Sequence, residues 1–120
     1  MAAIAGVHAS ARRAEDTKWG EIVALYDLHM KIRPSPVVEL NRAMAVAEFE
    51  GPAKGLEAIA AIAGVERLRD YPFYAASLGE LEFRRGRREV ARAHFEVALG
   101  LARNAAEQRF LARRVADCAD

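Results

Sequence analysis

The chain has 120 residues and a formal net charge of +1, which allows one compact domain and is too short for two ordinary ones. It contains 26 alanines but only 4 prolines, so the composition argues against a β-sandwich and predicts an all-α protein. The 18 basic and 17 acidic residues nearly cancel, which argues against a strongly basic nucleic-acid binder and a polybasic membrane anchor.

Three features of the sequence bear on the location of the protein. There is no run of about 18 apolar residues, so no membrane-spanning helix is predicted. The apolar start, residues 1–6, is short and lacks a basic leader, so it is not expected to act as a signal peptide. Cys118 is the single cysteine and cannot form an internal disulfide, which is typical of a reducing cytoplasm. We therefore expect a cytoplasmic protein with no membrane partner.

Glycine and proline residues separate seven segments with helical periodicity. These segments predict helices over residues 2–13, 17–32, 36–50, 52–63, 72–85, 87–102 and 105–118, with a loop over residues 64–70. Asp16 or Thr17 is the predicted N-cap of the second helix. Ser35 is predicted to cap the third helix, with Pro36 at its first position, where the missing proline N–H has no cost.

The segments recur with a period close to that of tetratricopeptide repeats, which are helical hairpins of about 34 residues. Gly51 and Gly86 each follow a predicted helix and lie 35 residues apart. Residues 72–105 fit the repeat pattern best, although Arg103 stands where the consensus has proline. The small and aromatic consensus positions of this unit are occupied by Leu78, Gly79, Gly86, Ala91, Phe95 and Ala98. Gly79 and Ala91 are expected to let the paired helices approach closely, with Phe95 filling the groove between them.

The predicted fold is a tetratricopeptide-like stack of about three antiparallel helical hairpins with a C-terminal capping helix over residues 105–118. All 120 residues are assigned to this single domain. A plain bundle of six or seven helices is the alternative. Five aromatic residues are expected in the core, namely Trp19, Tyr26, Phe83, Phe95 and Phe110.

Two runs of the sequence are more specific than the repeat pattern. The first is Ser-Pro-Val-Val-Glu-Leu-Asn-Arg-Ala over residues 35–43, and the second is Asn-Ala-Ala-Glu-Gln-Arg-Phe-Leu over residues 104–111. With them, nearly the whole chain resembles the C-terminal extension of extracytoplasmic-function (ECF) RNA polymerase sigma factors that carry a tetratricopeptide-like tail. The similarity covers residues 3–115.

This resemblance implies a regulatory protein-interaction domain. Such sigma factors bind core polymerase and promoter DNA through two N-terminal helical domains, and neither is present in the 120 residues. We therefore expect the chain to be a fragment of a longer sigma factor. Its implied partners are its own sigma domains, RNA polymerase or a regulator, and DNA contact is expected only through the absent domains.

Polar residues on the first helix of each hairpin are the candidates for protein binding, because these helices line the face on which such stacks bind partners. Asn41 offers a side-chain amide and Arg42 a forked donor for carboxylates, within an otherwise apolar helix. Tyr74, Glu80 and Arg84 lie on the fifth predicted helix. The alternative is structural: Asn41 would tie two helices together, Arg42 would form a surface ion pair, and the others would form the solvated side of their helix.

The densest basic cluster lies around the predicted turn at Gly86 and comprises Arg84, Arg85, Arg87, Arg88 and Arg92. Residues 81–120 hold nine basic and six acidic residues, so this part of the chain is positively charged. A basic patch can bind nucleic acid or an acidic protein surface. Because no aromatic residues are interleaved with these arginines, the sequence favours a solvated patch over contact with DNA.

No catalytic, metal or cofactor site is predicted. His8, His29 and His94 stand on three different predicted helices and lack the paired spacing of a metal site. Cys118 has no recognisable base partner, and no glycine-rich phosphate loop is present. We expect a protein that is not an enzyme. Two alternatives to the sigma-factor tail are a stand-alone tetratricopeptide-type peptide-binding scaffold and a structural module that stabilises or dimerises its parent.

Overall fold

The computed structural model describes residues 18–119, which form six α-helices and one short 3₁₀ helix, without a β-strand. Helix α1 covers residues 18–32. The remaining elements are α2 (Pro36–Glu50), α3 (Pro52–Ala60), the 3₁₀ helix (Val65–Leu68), α4 (Pro72–Arg84), α5 (Arg88–Gly100) and α6 (Ala105–Asp117). The all-α prediction is confirmed. The predicted helix over residues 2–13 and its neighbouring cap at Asp16 or Thr17 lie outside the described residues.

The helices begin and end at the residues that the local chemistry favours. Pro36 is the first residue of α2, and the Ser35 hydroxyl accepts a hydrogen bond from the Val38 N–H at 3.5 Å. Gly51 and Gly86 close the turns after α2 and α4 with φ angles of 99° and 80°. Glycine adopts this left-handed region without steric cost, so both turns depend on it.

Helix α3 is shorter than predicted, because it ends at Ala60 and not at residue 63. The chain tightens there through a hydrogen bond from the Ile62 N–H to the Ile59 carbonyl oxygen at 3.1 Å, and Gly64 then turns with φ of 74°. Part of the predicted loop forms the 3₁₀ helix, which brings Leu68 into the core. Burial of Ile62 and Leu68 explains why the helix stops early.

Two hairpins, α2–α3 and α4–α5, form the centre of the stack. In the first, an added Cβ on Gly55 would lie 2.5 Å from the Ala47 Cβ, so the helices touch through small residues. The buried cluster around this hairpin also takes residues from the 3₁₀ helix and α4: Leu40, Ala43, Ala47, Ile59, Ile62, Leu68 and Leu81. This shared cluster holds the two hairpins together.

The α4–α5 hairpin matches the predicted close approach. Phe95 is fully buried, and a Cβ on Gly79 would lie 2.9 Å from its ring. Ala91 and Ala98 are also fully buried. The roles predicted for these small residues and for Phe95 are confirmed.

Helix α6 covers the end of the second hairpin, as the predicted capping helix. The Asn104 side-chain oxygen accepts a hydrogen bond from the Glu107 N–H at 2.9 Å, which fixes the start of the helix. Leu111 is fully buried, but Phe110 is 49% exposed, so its predicted place in the core is wrong. Adjacent helix positions point about 100° apart, and α6 turns Leu111 and Cys118 inward instead.

Three arginine–carboxylate pairs connect different helices within residues 18–119. They are Arg42–Asp27 at 2.6 Å, Arg84–Glu48 at 2.7 Å and Arg114–Glu80 at 2.7 Å. They join α1 to α2, α2 to α4 and α4 to α6, respectively. These pairs add charged contacts between helices to the apolar packing of the two core clusters.

Candidate protein-binding site

A groove of about 280 Å³ lies between α1 and α2, and we call it the Asn41 groove. Its lining consists of Trp19, Ile22, Tyr26, Asn41, Met44, Ala45 and Glu48. The α1 residues are three and four positions apart, and the α2 residues follow the same spacing, so each set forms one face of its helix. The groove therefore lies between one face of α1 and one face of α2, and no loop residue lines it.

The Asn41 groove has aromatic and apolar side chains at its base, which we call the floor, and polar side chains at its edge, which we call the rim. Trp19 and Tyr26 are half-buried, whereas Asn41 and Glu48 are exposed. The Glu48 carboxylate pairs with the Arg84 guanidinium, which extends the rim onto α4. Aromatic residues beside amide and charged groups are typical of protein interfaces, because the rings bury area and the polar groups fix orientation.

Two of the five predicted binding residues meet at this groove. Asn41 lines it directly, and Arg84 reaches it through Glu48. Asn41 is exposed, so it does not sit buried between two helices.

The other three predicted binding residues point elsewhere. Arg42 pairs with Asp27 and lines a separate groove of about 240 Å³ with residues of α1 and α3. Tyr74 packs against the core cluster of the first hairpin. Glu80 accepts hydrogen bonds from the Arg114 guanidinium at 2.7 and 2.9 Å. Arg42 thus forms the surface ion pair that was its alternative prediction, whereas Tyr74 and Glu80 make packing and ion-pair contacts instead of forming a solvated helix side.

Sequence reasoning missed Glu48 and treated Trp19 and Tyr26 only as core residues. Glu48 lies seven positions after Asn41, which places the two side chains on the same face of α2. That spacing was the available signal. No such signal distinguishes Trp19 and Tyr26 from core residues, because half-buried and fully buried aromatic residues follow the same helical period.

Arg114 is the most heavily engaged charged residue of the described part. Its guanidinium pairs with Glu80 and Asp117 and lies 4.6 Å from the Phe83 ring centroid and 5.1 Å from that of Phe95. Burial opposes its charge, but hydrogen bonds to Glu80 and Asp117 and the attraction of their negative charges together outweigh burial and raise the pKa of Arg114. The Arg114 contacts therefore hold α6 against α4 and α5.

Three of the five arginines in the basic cluster form ion pairs, whereas Arg87 and Arg88 form none within residues 18–119. Arg84, Arg85 and Arg92 pair with Glu48, Glu82 and Glu96. Arg88 donates a hydrogen bond to the Asp117 carbonyl oxygen at 3.2 Å and stacks on the Phe83 ring. The three ion pairs favour a solvated patch over a continuous basic surface for nucleic acid.

No group of three or more His, Cys, Asp and Glu side chains that could hold a metal ion occurs among residues 18–119. Cys118 is only 6% exposed. Burial raises the pKa of the Cys118 thiol, and the charges of Arg114 and Arg88 offset this only in part. A raised pKa leaves little thiolate, which is the reactive form.

The burial of Cys118 leads to a test of its reactivity. In the native protein at neutral pH, we expect the thiol to react much more slowly with a disulfide reagent than it does in the urea-unfolded chain. The measurement is the rate of thiol titration in each state, with free cysteine as the reference. A native rate equal to that of free cysteine would contradict the expectation that the Cys118 thiol is unreactive in the folded protein.

Comparison with known proteins places the chain beside a longer relative. It is 44% identical over 111 residues to an uncharacterized protein of Rhizobium meliloti (strain 1021), a match that spans 92% of this chain and 26% of the relative. The chain thus spans about a quarter of the length of the curated relative it matches. No protein-family model matches the chain, and no solved structure matches it significantly. None of the helices in the described part is both long and apolar enough to cross a membrane.

Proposed function

We propose that this chain is a regulatory protein-interaction domain of a bacterial ECF-subfamily RNA polymerase sigma factor. In this proposal it acts in the cytoplasm and modulates the polymerase- and promoter-binding domains of its parent protein. It performs no catalysis and contacts no DNA itself. The Asn41 groove is the surface through which it engages those domains.

The proposal rests on the two runs that resemble ECF sigma factors, residues 35–43 and 104–111, and on the positions that their residues take in the fold. Residues 35–43 form the cap and first half of α2 and supply Asn41 to the groove. Residues 104–111 form the cap and first half of α6 and supply the buried Leu111. Further support comes from the Rhizobium meliloti relative, in which the matched region is 26% of a longer protein that has room for other domains.

Calorimetry tests the proposal directly, with the 120-residue chain titrated against the purified N-terminal domains of the parent sigma factor. We expect saturable binding that Asn41→Ala weakens. The double variant Glu48→Arg with Arg84→Glu reverses the rim charges but keeps their ion pair, so it should retain the fold. We expect it to weaken binding by about tenfold or more, which corresponds to about 1.4 kcal/mol.

The matched control is Lys54→Ala, since Lys54 lies on α3 outside the Asn41 groove and pairs only with Glu57 within the described part. This variant should bind as tightly as the unmodified chain. The proposal fails if the chain does not bind the N-terminal domains and if its deletion from the full-length factor leaves transcription unchanged. Binding of unrelated peptides in the Asn41 groove, without binding of sigma domains, would instead support the stand-alone scaffold.

A further inference from the structure

Helix α1 contributes no residue to the buried core of the described part. Each of the helices α2 to α6 has at least one buried residue, whereas every residue of α1 is half-buried or exposed. Neither core cluster includes an α1 residue, and neither do the partly buried residues packed against the two clusters. Helix α1 therefore does not share the apolar packing that holds the other five helices together.

The helices α2 to α6 form one packed unit. The first core cluster joins α2 and α3 to α4 through Leu81, and the second joins α4 to α5 and α6 through Ala75 and Ala76. Because α4 belongs to both clusters, we expect these five helices to unfold together. A segment with few buried apolar contacts opens at a lower free energy than the core, so α1 is expected to open before them.

Helix α1 meets α2 through a limited set of contacts. Trp19, Ile22 and Tyr26 are half-buried and line the Asn41 groove with Ala45, which is buried but belongs to neither core cluster. Asp27 adds the ion pair with α2, but its side chain is 51% exposed. Exposed ion pairs stabilise a fold only weakly. The attachment of α1 thus depends mainly on three half-buried side chains.

Opening of α1 would remove the candidate binding site. The groove has one wall on α1 and the other on α2, so it exists only while the two helices are in contact. Separation would expose Ala45 in its place. A partner that binds in the groove binds the closed form alone and shifts the equilibrium toward it.

We propose that α1 is a conformational switch, which opens from α2 as a separate unit while α2 to α6 stay folded. The Asn41 groove is present in the closed form and absent from the open form. The opening itself goes beyond the proposed function, because it holds whatever the chain binds. Its role in regulating partner binding rests on the proposed function.

The single tryptophan of the chain reports this opening, because Trp19 lies on α1 and lines the groove. In a urea titration of the full chain, we expect the Trp19 fluorescence to change at a clearly lower urea concentration than the far-UV circular dichroism. The helices α2 to α6 supply most of the helical residues in the described part and hence most of the dichroism. Coincident midpoints would show one cooperative transition and overturn the proposal.

The same substitution at two sites separates α1 from the core. Ile22→Ala should lower the midpoint of the Trp19 fluorescence and leave that of the circular dichroism unchanged, because Ile22 lies in the contact between α1 and α2. Ile59→Ala is the matched control, since Ile59 is fully buried in the first core cluster, and it should lower the circular dichroism midpoint. An effect of Ile22→Ala on both midpoints, or on neither, would overturn the proposal.

Amide hydrogen exchange tests the regulatory role, with and without a saturating amount of the N-terminal sigma domains. Binding in the groove should slow the exchange of α1, because only the closed form binds. Unchanged exchange of α1 in a complex that calorimetry shows to form would refute the regulatory role. If the domains do not bind but the two urea midpoints differ, the opening of α1 is supported and only the proposed function fails.

Discussion

Gly79→Leu is expected to lower the stability of the protein by about 3 kcal/mol, at the upper end of the range for overpacking a core. The first added atom, the Cβ, would lie 2.9 to 3.0 Å from three ring carbons of Phe95. Phe95 is fully buried, so its ring cannot turn out into solvent. We therefore expect a fall of the melting temperature by roughly 10 °C or more, measured by circular dichroism.

Gly100→Leu is the matched control, because Gly100 is the last residue of α5 and a Cβ there would meet no atom within 4 Å. The same substitution at this position should leave the melting temperature unchanged or raise it slightly, since glycine is a poor helix former. If the two variants melt at the same temperature, the close approach of α4 and α5 at Gly79 is wrong.

Arg114→Ala is expected to destabilise the protein by about 1–3 kcal/mol, because it leaves the Glu80 carboxylate without its partner and removes the guanidinium from two aromatic rings. The Arg114 side chain is only 17% exposed, so water cannot fully replace these contacts. The free energy of unfolding in urea is the appropriate measurement. We expect α6 to be the part most affected, which faster amide hydrogen exchange over Ala105–Asp117 would report.

Arg113→Ala removes the same side chain one position earlier and provides the comparison. Arg113 is exposed and makes no ion pair within residues 18–119, so its loss should change stability by less than about 0.5 kcal/mol. Arg114→Lys should recover only part of the loss, because an ammonium group cannot pair in the forked geometry or stack as a plane. Equal losses for Arg113→Ala and Arg114→Ala would show that the network around Arg114 does not stabilise the fold.

The elements that sequence could predict are those that depend on neighbouring residues. Ser35 with Pro36, Gly51 and Gly86 determine helix starts and turns through local hydrogen bonds and φ angles, and their predicted roles are confirmed. The end of α3 was wrong because it depends on the burial of Leu68, which lies eight positions further along. Local propensity does not include that tertiary contact.

The candidate site was predicted only in part, for a similar reason. Asn41 was found because it interrupts an apolar helix, but its partner set depends on how α1 and α4 lie against α2. Phe110 was misplaced because Phe110 and Leu111 are adjacent, and hydrophobicity does not tell which of two neighbours faces inward. The contact of Arg114 with Glu80 joins residues 34 positions apart, and no sequence pattern marked it.

The three ion pairs between helices also differ in their exposure to water, so the two ends of the stack differ in their sensitivity to salt. The Asp27–Arg42 and Glu48–Arg84 pairs are each more than a third exposed in at least one partner, while the side chains of Arg114 and Glu80 are 17% and 27% exposed. The distance over which salt screens exposed charges falls from about 8 Å at physiological ionic strength to about 3 Å at 1 M, so molar salt weakens exposed contact pairs and weakens sheltered pairs far less. Salt near molar concentration will therefore weaken the end that carries the Asn41 groove before it weakens the end closed by α6.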